Sequence, residues 1–126
     1  MEKIYPADLP QPRGHYSPGI VHNGTVYVSG QLPVGPDGEP KLGPIEAQTE
    51  LCLYNIERVL LAAGSDLQHV LKLTVFVADI AHWPVVNGVL AQGFGEHRPA
   101  RAVVPCNPLH YGCGIEIDCV AAVKEK

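Results

Sequence analysis

Two acids, Glu116 and Asp118, stand inside the otherwise apolar stretch Ile115-Glu116-Ile117-Asp118-Cys119-Val120 near the end of the 126-residue chain. A carboxylate in such a strand must be paired, solvated in a cavity or kept neutral, because burying an unpaired charge is costly. One account is a salt bridge at a sheet edge or a subunit interface. The other is chemistry: a carboxyl group within hydrogen-bond range of a water can shuttle protons to and from it. Arg101, fifteen residues before Glu116, supplies a complementary group, a planar fork of donors that binds carboxylates by two parallel bonds. If the two strands that carry these residues pair antiparallel through the 106–114 connection, Arg101 and Glu116 need not touch within one chain. A shared site then requires a neighbouring subunit.

Other constellations carry less. Cys106, His110, Cys113 and Cys119 invite a zinc reading, but their spacing matches no standard structural-zinc pattern, and no metal is expected. The four cysteines lack CxxC pairing and read as reduced, partly buried thiols. His15, His22, His69, His82 and His97 are scattered and read as loop or surface residues; His110 and Tyr111 stand out because their loop is expected to border a cleft. No serine sits in a nucleophile elbow and no glycine cluster precedes a P-loop lysine. Thirteen acids against nine bases give a net charge of −4, which argues against a nucleic-acid partner. No apolar run approaches the roughly 18 residues of a membrane span, and Met1 to Gly14 has no apolar h-region, so a cytoplasmic protein without a membrane partner is expected.

The elements that must position these groups follow from periodicity. Residues 1–126 read as one domain. The proline-bearing segment to Ser17 should run extended, with an edge strand near Lys3 to Tyr5. Ile20 to His22 and Thr25 to Ser29 flank Asn23-Gly24, a strong hairpin signal. Gly30 to Pro44 holds too many breakers for a regular element and reads as a long loop. From Ile45 the apolar period becomes helical through Cys52, Ile56, Val59, Leu60 and Ala63, with Pro44 suited to the first turn and Gly64 to the end. Val70 to Ala78 reads as a strand with Leu71, Leu73, Val75 and Val77 on its core face. A second helix follows from about His82 to Phe94, then strands at Ala100 to Pro105 and Ile115 to Val123. The order predicts an α+β domain: a six-stranded mixed sheet with both helices on one face. The other face, carrying Val70, Phe76, Val120 and Ala122, is left without a helix. With 46% hydrophobic and only 17% charged residues, it is expected to be buried against copies of the chain in a closed cyclic oligomer.

At its candidate residues the sequence resembles the Rid (YjgF-like) family of reactive-intermediate deaminases. The carrying segments are Pro99-Ala100-Arg101-Ala102-Val103 and Ile115-Glu116-Ile117-Asp118. They are joined by Tyr16-Ser17-Pro18-Gly19, Val28-Ser29-Gly30-Gln31, Leu61-Ala62-Ala63-Gly64, Thr74-Val75-Phe76-Val77 and Val86-Asn87. The resemblance covers nearly the whole chain. It implies a chorismate-mutase-like fold, a homotrimer with active sites between subunits, and no metal or organic cofactor. It implies hydrolysis of small enamine and imine acids, such as 2-aminoacrylate and 2-iminobutanoate or 2-iminopropanoate, to 2-oxo acids and ammonia. By position, Arg101 would clamp the substrate carboxylate and Glu116 would activate the water. Tyr16, Ser29, Gly30 and Asn87 would line the pocket, and the backbone of Val103 would contact the substrate.

The chain departs from many relatives in having Val103 where they carry a cysteine, in a shorter 96–99 turn, and in the 107–112 connection beside the pocket. The last two bear on which substrate fits and admit a larger enamine such as 2-aminomuconate. Two further classes remain: an endoribonuclease or translation inhibitor, which the charge balance and the lack of an RNA-binding aromatic signature oppose, and a non-catalytic module that binds small carboxylates.

Overall fold

The computed structural model describes residues 1–125. Six strands form one sheet: β1 (Glu2–Ile4), β2 (Gly19–His22), β3 (Thr25–Gln31), β4 (Val70–Val77), β5 (Ala100–Pro105) and β6 (Ile115–Ala122). They lie in the order β1-β2-β3-β6-β4-β5, antiparallel throughout except for the parallel pair β4 and β5. Two helices, α1 (Ile45–Ala62) and α2 (Trp83–Phe94), pack against each other and supply the other half of the core. This is the expected α+β arrangement, with the edge strand at 2–4 and the second helix beginning one residue later than read.

The hairpin joining β2 to β3 turns at Asn23 (φ 50°) and Gly24 (φ 77°), the two left-handed residues that a type I′ turn needs. Helix α1 follows Pro44 and buries Cys52, Ile56, Val59 and Leu60 completely. It stops at Gly64 (φ 80°): Gly64 N–H donates to Leu61 O at 3.2 Å and Ser65 N–H to Leu60 O at 2.8 Å, the paired bonds of a Schellman ending. The Ser65 hydroxyl then donates to Ala122 O at 2.6 Å, which ties the helix end to the end of β6.

Three expectations change. β5 does not pair with β6. The β4-α2-β5 order makes a parallel crossover, so β5 lies on the far side of β4 and the 106–114 connection carries the chain past β4 to reach β6. Val70 belongs to the core rather than to the open face, and Leu71 is 52% exposed. The reason is a register shift against β6 between Val70 and Lys72, which turns the first residues of β4 over relative to strict alternation. The loop after the hairpin begins later, because β3 runs on to Gln31, and it contains a small bridge between Val34 and Pro40.

On β6 the side chains of Ile115, Ile117, Cys119 and Ala121 are buried against the helices. Glu116, Asp118, Val120 and Ala122 lie half-buried on the opposite face. That face continues through Phe76 and Thr74 on β4 and the exposed Tyr27 on β3, the register partners of Glu116, Asp118 and Val120, and no helix among the described residues covers it.

Candidate active site

Glu116, the second residue of β6, lies opposite Phe76 and faces a cleft of about 620 Å³. The cleft wall is built from the irregular segment 9–18, the end of β3, the start of the 32–38 loop and the 110–111 turn. At the end of β3 the ladder slips by one residue between Val28 and Gln31, so Ser29 and Gly30 bulge towards the cleft. The glycine is required there. A Cβ on Gly30 would lie 2.7 Å from Glu116 Oε2 and 3.0 Å from its Cδ, so the carboxyl group rests directly on backbone. The Ser29 hydroxyl donates to Ser17 O at 2.6 Å and its N–H to Pro18 O at 2.9 Å, fixing the segment that presents Tyr16. The Tyr16 ring leans on Gly14, where an added Cβ would approach it to 3.3 Å.

No hydrogen bond or ion pair engages the Glu116 side chain among the described residues. Burial pushes its carboxyl group above the ordinary carboxylate range; the charge of His110 works against that rise and the charge of Asp118 adds to it. Burial likewise raises the Tyr16 phenol, with Tyr111 and Glu116 adding to it. A carboxyl group raised in this way holds its proton more readily than an exposed one and can pass it to and from a water.

The second group of residues stands elsewhere. Arg101 pairs in register with the buried Leu73, so it points to the helix side of the sheet, whereas Glu116 points to the open side. Its Nη1 donates to Asn87 Oδ1 at 2.8 Å and its guanidinium lies 4.7 Å over the ring of Trp83. Val103, on the same side of β5, packs against the core. Stacked and hydrogen-bonded on one side, the guanidinium keeps its remaining donors for a carboxylate.

Tyr16, Ser29, Gly30, Glu116, His110 and Tyr111 therefore share one cleft, while Arg101, Asn87 and Val103 form a separate cluster on the edge strand and α2. Trp83 escaped the sequence reading, although it is the chain's single tryptophan and opens the helix before Asn87. Asn55 also escaped it. Its Nδ2 donates to Leu32 O and Val34 O, at 3.1 and 2.9 Å, and so holds the loop wall of the cleft from α1. No three His, Cys, Asp or Glu side chains come together as a metal site among the described residues, and the cysteines are free thiols.

The fold and site define an α+β protein whose mixed sheet, backed by two helices, presents a strand carboxyl group, without a partner among the described residues, to a cleft on its open side. Comparison with known proteins agrees. Residues 7–123 match the family model described as Endoribonuclease L-PSP, and the chain belongs to that family, the Rid or YjgF-like family. It is 36% identical over 116 residues to Protein HMF1 of Saccharomyces cerevisiae, covering 92% of this chain and 90% of that one. It is 37% identical over 119 residues to the 2-iminobutanoate/2-iminopropanoate deaminase of Bos taurus, covering 94% and 87%. The crystal structure of E. coli TdcF with bound serine superposes with a TM-score of 0.92 at 30% identity, over 98% of this chain and all of the other.

Proposed function

We propose that the protein hydrolyses small enamine and imine acids of the 2-aminoacrylate type to 2-oxo acids and ammonia. The observation that carries this reading is the Glu116 carboxyl group, without a hydrogen-bond or ion-pair partner among the described residues, pressed onto Gly30 and raised by burial at the wall of a cleft. An enamine acid takes a proton at carbon and gives one up from nitrogen to become an imine. Water then adds across the C=N bond, its proton passing to the nitrogen, and the carbinolamine expels ammonia as the C=O bond forms. Each step moves a proton between neighbouring positions, so one carboxyl group suffices. Holding the substrate carboxylate with a two-pronged arginine leaves the reacting end free, and positioning supplies much of the rate gain.

Arg101 and Glu116 cannot serve one substrate within a single chain, since they occupy opposite faces of the sheet. We infer that the site is completed by a second copy, in a homotrimer of about 40 kDa (from 13.5 kDa chains) whose open sheet faces meet around the three-fold axis. The chemistry of the residues named asks for no cofactor. Free thiols support a reducing compartment, taken here as the cytoplasm.

The family's description as an endoribonuclease favours a second reading, which the net charge of −4 opposes. The deciding experiment generates 2-aminoacrylate in situ with a pyridoxal-phosphate lyase and follows ammonia and pyruvate with and without the protein. Release accelerated in proportion to added protein is expected. No acceleration, together with cleavage of single-stranded RNA, would replace this reading by the second.

A further inference from the structure

Among the described residues only Asn23 and Tyr111 carry positive φ without being glycine. Asn23 belongs to the hairpin turn, where the conformation is required and asparagine tolerates it. Tyr111 has φ 63° and ψ 15°, a region where the Cβ of a bulky residue crowds the neighbouring carbonyl. Gly112 follows at φ 78°, and Gly112 N–H to Leu109 O (3.2 Å) and Cys113 N–H to His110 O (3.1 Å) close the turn around the strained residue. Glycine would relax this position. The chain instead holds a tyrosine there, half-exposed, its ring centroid 5.9 Å from that of His110. A half-exposed ring on a strained backbone contributes little to the core, and strain of this kind collects at ligand sites.

The ring lies at the wall of the Glu116 cleft, which Tyr16, Leu32 and Val34 also line. One chain alone walls about 620 Å³ here, several times what a three-carbon acid fills, and the second copy that brings Arg101 takes up only part of it in the assembly inferred above. We propose that Tyr111 is a specificity-determining residue that forms, with Tyr16, an aromatic wall for the planar or aromatic tail of an enamine or imine acid larger than 2-aminoacrylate. This rests on the deaminase reading for the reacting end of the molecule, while the wall itself is a matter of binding.

The test is calorimetric titration of the intact protein with two stable 2-oxo acids, phenylpyruvate and pyruvate, in wild type, Tyr111→Gly and Tyr111→Phe. Wild type should prefer phenylpyruvate by tenfold or more. Tyr111→Gly should lose that preference with a thermal midpoint no lower than wild type, and Tyr111→Phe, which restores the ring, should regain it. An undiminished preference in Tyr111→Gly, or none in wild type, overturns the proposal. Ammonia release is measured separately. Preference without turnover of any enamine would sink the deaminase reading and leave the wall standing, whereas turnover without preference would do the reverse.

Discussion

Arg101 and Glu116 project from opposite faces of one sheet. Their register partners on β4, Leu73 and Phe76, are an odd number of residues apart, and the strands that carry them flank β4 on either side. Strand rise and spacing put their Cα atoms roughly 14 Å apart, with side chains diverging. A carboxylate held by one cannot be worked on by the other in the same chain.

This separation makes complementation the sharpest test of a site shared between chains. Arg101→Lys should cost on the order of 10²-fold in kcat/KM, because a point ammonium reproduces neither the paired bonds nor the stacking on Trp83. Glu116→Gln should be similarly inactive. Mixed by unfolding and refolding in equal amounts, the two dead proteins should recover roughly a quarter of wild-type turnover, since each mixed trimer contains one interface with both native residues. Recovery no greater than the sum of the separate variants would mean that the site is not shared.

Asp118 is the competitor for the acid role, on the same face two residues along β6. Glu116→Gln keeps shape but not proton transfer, so it should retain affinity for a stable 2-oxo acid while ammonia release falls at least 10²-fold; Asp118→Asn should lose less than tenfold. Parallel ammonia assays and titrations check both. The reverse pattern would transfer the role to Asp118.

Gly30→Ala tests position rather than charge. The backbone at 30 is not left-handed, so alanine is tolerated conformationally, yet its Cβ must displace a carboxyl oxygen from 2.7 Å to ordinary contact. Displacement of about 1 Å at a reacting group costs up to about 10²-fold. A kcat reduced by that order with near-native circular dichroism is expected; unchanged kcat would show that the contact with Glu116 is immaterial to catalysis.

Stability should carry the opposite sign from activity at Glu116. Its carboxyl group is raised in the folded chain, so between the unfolded value near 4.3 and the higher folded value the folded state binds more protons and stability falls as pH rises. Glu116→Gln removes that loss. Its thermal midpoint should exceed that of wild type at pH 7 and converge with it below about pH 4. A midpoint lower than wild type at pH 7 would show that the native carboxylate is stabilised by a partner charge.

The helical period from Ile45, the stop at Gly64 and the Asn23-Gly24 turn were legible because each rests on local chemistry, and the structure has them in place. The pairing of β5 was not. Residues 106–114 contain no turn signal that says which strand they cross, and the parallel partner is decided by how α2 packs. Without that pairing the face of Arg101 is undefined, which is why Trp83 could not be connected to it from sequence. The inversion of Val70 and Leu71 is equally non-local. No glycine or proline marks it, and the register against β6 imposes it. Glu116 was legible for the contrary reason, since a carboxylate among alternating Ile and Cys is anomalous in any register.

The stacking of Arg101 on Trp83 also equips the molecule for observation. The chain has one tryptophan, and the guanidinium that would meet an incoming carboxylate lies 4.7 Å over its ring. Indole emission responds to a nearby charge, so neutralising Arg101 with a carboxylate should alter fluorescence at a single, known location. The intrinsic signal of the unlabelled protein would then report occupancy of the edge-strand cluster separately from events at Glu116, and stopped-flow fluorescence could time binding apart from ammonia release.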